Sequence, residues 1–269
     1  EPIQGTPAFK AGIEAGDVIL AVNGESTLGW SLLASVTKIR GPKGTNVSLL
    51  IQRIGMAEPF ELAITRSSIS IESVNMNIID QKFAYIKISC FCDGTDEELE
   101  NVLALVLNEN PTGVVLDLRN NLGGLLSTTV NIADVFLDEE LVLYAIDGDG
   151  NRTDYFTKSD SQIDLPMVVL VNGFSASASE VLSGALQDHG RAQIVGTNTF
   201  GKGSVNLPKK LNDGSALYYS IARWYSPDGN MIEGKGIKPD FVIEATEEEN
   251  PEKDLQLEKA LNTLRFIMN

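Results

Sequence analysis

Histidine is nearly absent from this chain: His189 is the only one in 269 residues. Any Ser-His-Asp or Cys-His mechanism would have to use it. Cysteine is almost as scarce, with Cys90 and Cys92 set close together in I-S-C-F-C-D. In an extended strand that spacing puts both side chains on one face, which suits a mutual disulfide poorly. Two thiols without further clustered ligands also make a weak metal site, so both are expected to be free. No apolar run reaches membrane-spanning length, and no stretch reads as a signal peptide. The chain opens at Glu1, so a processed product or a fragment is expected, and the missing targeting segment says little about location. Positive charge is short as well. The chain has 21 Lys and Arg against 37 Asp and Glu, a formal charge of −16. Nucleic acid is therefore excluded as a partner, because phosphate binding needs clustered cations.

What is present has the composition of a globular protein, long enough for one large or two modest domains. Residues 1–67 form a first unit. Residues 7–12 read as a short helix and 17–23 as a strand ending at the Asn23-Gly24 turn. Apolar residues recur at helical spacing over 30–39, and 46–53 and 59–65 read as paired strands. Residues 66–80 connect this unit to the second, which occupies 68–269 in the domain division. Strands are expected at 83–91, 113–118, 167–171 and 193–196, and hairpins at 141–157 and 204–225. Helices are expected from Thr95, as cap, to Asn108, from the loop after 118 to about Phe136, and over 255–267. Residues 247–252 (E-E-E-N-P-E) read as a solvated turn. Strand–helix alternation with buried strands implies an α/β layer fold.

Three loops stand out. The apolar run over Met167–Val171 is too short for a helix and is broken by Asn172 and Gly173. Serines at 175, 177 and 179 follow, and then apolar residues at helical spacing from Val181 to Leu186. A buried strand, a tight serine-bearing turn and a helix can expose a nucleophile above a sheet, where the helix N-terminus favours negative charge. The pattern does not choose among the three serines. Residues 119–124 form a second glycine-containing loop after a buried strand. The third, at 199–204 (T-F-G-K-G-S), sets Lys202 between two glycines. It lacks the spacing of a nucleotide-binding loop.

Taken in order, L-D-L-R-N-N-L-G-G-L-L (116–126), S-A-S-A-S-E (175–180), L-Q-D-H-G-R-A (186–192), F-G-K-G-S-V (200–205) and G-K-G-I-K-P-D (234–240) resemble the C-terminal processing, or tail-specific, proteases. G-T-P-A-F-K-A-G-I-E-A-G-D-V-I-L-A-V-N-G (5–24), R-G-P-K-G-T (40–45) and V-S-L-L-I-Q-R (47–53) resemble a PDZ domain of the bacterial protease-associated kind. The family's upstream carboxylate-binding loop and first strand lie outside this stretch, so a PDZ domain truncated at its first strand is expected. The resemblance implies an α/β fold with a ClpP/crotonase-like core of β-β-α units behind that N-terminal PDZ domain.

It also implies a serine endopeptidase that recognises C-terminal tails of protein substrates. Ser177 is then the nucleophile and Lys202 the base, with Ala178 and either Gly123 or Gly124 offering N–H groups to the oxyanion. Asn206 stands where family members often have glutamine, and with Asp188 it is a candidate orienting group. His189 becomes a spectator. A lysine acts as base only when burial or a nearby cation lowers its pKa, and Phe200 and Val205 are expected to supply the burial. No cofactor and no metal are implied. Partners are proteins or peptides with free C-termini, a membrane enters only through an upstream anchor, and an oligomer is compatible. The location implied is extracytoplasmic, in the periplasm or cell envelope. The alternatives are a catalytically silent peptide- or ligand-binding protein on the same fold, and an adaptor whose second domain only docks partners.

Overall fold

The computed structural model describes residues 2, 6–68, 72–158, 162–211, 213, 215–244 and 254–268. The turn expected at 247–252 lies outside these residues. Contacts divide the chain into two units, Glu1–Ile71 and Glu72–Asn269.

In the first unit, Thr6 caps α1 (Pro7–Lys10), accepting from the Phe9 N–H at 3.4 Å, with proline in the first turn. β1 (Val18–Val22) and β2 (Glu25–Ser26) form a hairpin across Asn23-Gly24. Both turn residues have positive φ, as a tight hairpin turn requires. β2 has only two residues, and no strand was expected there from the sequence. Ser31 caps α2 (Leu32–Ile39), accepting from the Ala34 N–H at 3.2 Å. β3 (Asn46–Gln52) and β4 (Phe60–Thr65) complete a sheet of order β2-β1-β3-β4. Val47, Leu49 and Ile51 alternate inward along β3 and pack with Val22 and Ile64.

Arg53, just past β3, ties this unit's loops together. Its Nε and Nη2 grip the Asp17 carboxylate at 2.7 Å each, Nη2 also reaches the Gly12 carbonyl, and Nη1 pairs with Glu14. A bidentate guanidinium–carboxylate pair is among the stronger surface interactions.

The second unit begins with β5 (Val74–Ile79) and β6 (Phe83–Ile88), followed by α3 (Thr95–Asn108) and β7 (Gly113–Asp117). Next come α4 (Leu126–Asp134), the hairpin β8 (Leu141–Asp147) and β9 (Arg152–Phe156), then β10 (Met167–Val171) and α5 (Ala178–Asp188). β11 (Gln193–Gly196), β12 (Ser204–Lys210), β13 (Ala216–Tyr225), β14 (Phe241–Val242) and α6 (Leu255–Ile267) finish it. Gly94, with φ +84°, is the N-cap of α3. Thr95, expected in that role, is the first helical residue, and its Oγ1 accepts from the Cys92 N–H instead.

The main sheet has the order β14-β11-β10-β7-β6-β5 and is parallel except for the β5–β6 pair. Its central strands carry unbroken apolar runs because both faces are covered. Val114, Leu116, Met167, Val169 and Val171 face α3, α4 and α5. Val115, Val168 and Leu170 face α6 through Ala260, Leu261 and Leu264. An antiparallel sheet of order β12-β13-β8-β9 contributes Val142, Leu143 and Trp224 to the larger core.

The Arg53 pair sets a pH dependence. Hydrogen bonds from Arg53, then from the Glu14 N–H, lower the Asp17 pKa to about 2. The unfolded value is about 3.9, so the folded state favours the carboxylate, and the stabilisation is complete above the unfolded pKa. It is lost as pH falls through the folded pKa. Asp17→Asn should therefore lower the melting temperature of the first unit at neutral pH. Melts recorded between about pH 5 and pH 2 should converge with those of the parent.

Candidate active site

β7 and β10 are parallel neighbours in register, Leu116 opposite Val169, so their C-terminal ends open onto the same edge of the sheet. In open α/β sheets this edge is where ligands bind. The loop after β7 and the turn after β10 are stitched together there. Asn172 Oδ1 accepts from the Asn120 N–H at 3.0 Å, and Asn172 Nδ2 donates to Asn120 Oδ1 at 2.9 Å. Two of the three serines complete the seam. Ser175 Oγ donates to the Leu118 carbonyl and Ser179 Oγ to the Asn121 carbonyl, each at 2.8 Å, and both residues are fully buried. Ser177 is half-buried and lines a cleft.

Ser177 sits at φ +55°, ψ −112°, outside the regions ordinary residues adopt. Such a conformation costs about 1–3 kcal/mol and persists only where its surroundings over-determine it. Glu180, one turn into α5, does this. Its carboxylate is fully buried and accepts four hydrogen bonds. Oε2 takes the N–H groups of Ser177 at 2.8 Å and Lys202 at 2.9 Å. Oε1 takes the Thr199 hydroxyl and the Gly201 N–H, each at 2.6 Å. One oxygen therefore holds the backbones of both Ser177 and Lys202. On the other side of the lysine loop, Trp224 Nε1 donates to the Lys202 carbonyl at 3.1 Å, and Glu233 accepts from the Gly203 N–H at 2.8 Å.

Ser177 and Lys202 line one cleft of about 150 Å³ together with Leu126, Leu143, Val181 and Trp224. No hydrogen bond joins the Ser177 hydroxyl to the Lys202 amine among the described residues. The expected burial of the lysine is not found. Lys202 is exposed and Phe200 is 65% exposed, its ring turned to solvent, while Val205 is half-buried in the cleft wall.

The loop over residues 121–125 lies against the serine turn. A Cβ on Gly123 would stand 2.8 Å from Ser177 Cβ and 2.9 Å from the Ala178 nitrogen, so only glycine allows this approach. The Gly123 N–H donates to Asn121 Oδ1 at 2.9 Å and is thereby occupied. Gly124 packs so closely on the Phe91 carbonyl that a Cβ would overlap it. Upstream, Arg119 forks between Asp117 and the α6 cap Asp254, anchoring the start of the loop.

Several expectations require correction. Asp188 does not reach the cleft. Its Oδ2 accepts from the Asp228 N–H at 2.9 Å and fixes the turn after β13. His189, by contrast, was expected only as a spectator, and its Nε2 lies 2.7 Å from the Leu141 carbonyl, apart from the residues that line the cleft. Asn206 does line the cleft, but its Oδ1 accepts from Ser220 Oγ at 2.7 Å rather than from the lysine. Cys90 and Cys92 are joined as a disulfide. The alternating-face argument fails because β6 ends at Ile88, and beyond it the Cys90 and Cys92 Cα atoms stand 5.4 Å apart, within bridging range.

Asn121, Glu180, Thr199 and Trp224 were not singled out from the sequence. Only Glu180 had a local signal there, as the acid three residues after a serine before an apolar helix.

A family model described as peptidase family S41 matches residues 82–243, and one described as a PDZ domain matches residues 1–53. The chain belongs to peptidase family S41. It is 37% identical to a carboxyl-terminal-processing protease of Synechocystis sp., over 98% of this chain and 64% of that protein. It is 35% identical to the carboxy-terminal processing protease CtpA of Bacillus subtilis, over 90% of this chain and 52% of that protein. The chain thus spans roughly half to two-thirds of the length of these curated relatives. Among solved structures, a photosystem II D1 C-terminal processing protease is 32% identical with a TM-score of 0.61, covering 90% of this chain and 67% of that one. A putative S41 protease from Bacteroides fragilis, 18% identical with a TM-score of 0.64, covers 99% of this chain and 77% of that one and shares the fold.

Glu180→Gln puts an amide N–H₂ where one carboxylate oxygen now accepts two donors. Leaving such buried donors unpaired should cost on the order of 2–4 kcal/mol, read from denaturant unfolding of the second unit.

Proposed function

We propose that this chain carries the catalytic and tail-recognising parts of a serine endopeptidase that acts on C-terminal regions of protein or peptide substrates. The observation that carries the reading is the shared clamp. Of three neighbouring serines, Ser177 is the one that lines a cleft with a lysine, and Glu180 Oε2 holds both residues' backbones.

In this reading Ser177 Oγ attacks the scissile carbonyl and Lys202 Nζ takes its proton. The amine then protonates the leaving nitrogen and later activates the water that hydrolyses the acyl-enzyme. The tetrahedral oxygen needs preorganised N–H donors. Ala178, at the start of α5, offers one, where the helix end also favours negative charge. With the Gly123 N–H occupied by Asn121, Gly124 is the better candidate for the second. Lys202 is exposed here, so a substrate chain laid across the cleft supplies the burial that makes its amine a base. The present arrangement is the resting one.

The cleft wall of Leu126, Leu143, Val181, Val205 and Trp224 favours an apolar substrate residue beside the scissile bond. The PDZ match supports recognition of substrate C-termini by the first unit. The resemblance to the tail-specific proteases supports a site of action outside the cytoplasm, in the periplasm or cell envelope. No helix among the described residues is long and apolar enough to cross a membrane.

Cleavage of casein, an unstructured protein, tests the assignment. Ser177→Ala and Lys202→Ala should each lower kcat/KM by at least about 10³-fold with melting temperature unchanged. Full activity in Lys202→Ala would remove the lysine from the mechanism. A binding protein without catalysis predicts no cleavage by the parent and no labelling of Ser177 by a fluorophosphonate.

A further inference from the structure

The Cys90–Cys92 bridge lies one residue from the loop that backs the serine turn. Between the cysteines, Phe91 is fully buried and anchors its ring in the core. Its backbone is the template for the loop over 121–125. The Phe91 N–H donates to the Gly123 carbonyl at 3.1 Å, and the Leu125 N–H donates to the Phe91 carbonyl at 2.7 Å. Asn121 Nδ2 donates to the Ile88 carbonyl at 2.8 Å. Gly124 rests on the Phe91 carbonyl, and Gly123 rests on Ala176, Ser177 and Ala178. A chain of direct contacts therefore runs from the disulfide through Phe91 to the backbone around the nucleophile. Cys90 is half-buried and Cys92 is exposed, so the bridge is open to reagents in solution.

We propose that Cys90 and Cys92 are a reversible redox modification site whose disulfide holds Phe91 against the loop over 121–125 and so keeps Gly123 packed on Ser177 and the Gly124 oxyanion donor in place. The effect on catalysis rests on the peptidase reading given above. Bridging cysteines with one residue between them closes a small ring that restricts the Phe91 backbone, and an exposed disulfide of this kind is the labile sort. The reductant is a dithiol. One of its thiolates attacks the exposed Cys92 sulfur, the sulfur–sulfur bond breaks, and the Cys90 sulfur leaves with the electron pair and takes up a proton. The reductant's second thiolate then displaces the Cys92 sulfur from the mixed disulfide, and that sulfur is protonated in turn. Two electrons pass to the protein, and the dithiol ends as a disulfide. Phe91 is then released from its ring, its two bonds to the loop compete with water, and Gly123 and Gly124 drift from the serine turn.

The test uses this chain air-oxidised, then reduced with dithiothreitol, with alkylation and mass spectrometry to count thiols in each state. Reduction should speed amide exchange at Leu125 and Phe91 about tenfold or more, with exchange elsewhere in β7 and β10 unchanged. Fluorophosphonate labelling of Ser177 and casein cleavage should slow by about tenfold. That is less than the ~10²-fold or greater loss expected when an oxyanion donor is removed outright. The variant C90S/C92S should match the reduced parent in both readouts and ignore dithiothreitol. Two free thiols in the air-oxidised protein, or unaltered exchange across 121–125 after complete reduction, overturns the proposal. Exchange that responds to reduction while Ser177 is inert in both states supports the redox clamp and overturns the peptidase reading instead.

Discussion

A single buried carboxylate holds this site together. Glu180 is placed by the first turn of α5, and its two oxygens accept from Ser177, Thr199, Gly201 and Lys202. A buried charge is costly unless it is fully hydrogen-bonded, and these four donors satisfy it. In return the carboxylate keeps Ser177 in a strained backbone conformation and holds the lysine loop alongside it. Two loops separated by a helix and a strand thus meet at one group.

The sheet makes that meeting feasible. β7, β10 and β11 are parallel neighbours, so the loops that follow them emerge at one edge. Each loop brings one element of the proposed site: glycines after β7, the serine turn after β10, the lysine after β11. Ser175, Ser179 and Asn121 lock the first two loops, and Trp224 from the second sheet holds the third. The stability of the core and the precision of the cleft are therefore not separable properties. Displacing a strand end by an ångström would move an N–H donor by as much, and catalysis is sensitive on that scale.

Much of this was legible in the residues. The helices and long strands followed from periodicity because their burial is set by local pattern, as in β3 and β10. The serine and lysine were legible through motif context. The short strands β2 and β14 were not, since two residues carry no period and become strands only by pairing with β1 and β11. The Thr95 cap was misplaced by one residue because Gly94 takes the positive φ that ends the preceding loop. The cysteine pair was misjudged because a strand was carried past Ile88, where the chain in fact bends.

Composition and order of motifs alone determined the layered α/β class, the two units, and the presence of a serine and a lysine in glycine-bounded loops. These follow from local periodicity and from residue chemistry that neighbours in sequence already express. Tertiary structure decided which serine faces the cleft, because Ser175 and Ser179 are spent on carbonyls of a loop over 50 residues away in sequence. It also decided that Asp188 and His189 stand apart, that Asn121 occupies the Gly123 N–H, and that the cysteines meet behind the loop over 121–125. Each of these depends on which groups a distant strand end delivers to the same few ångströms, and no local pattern encodes that.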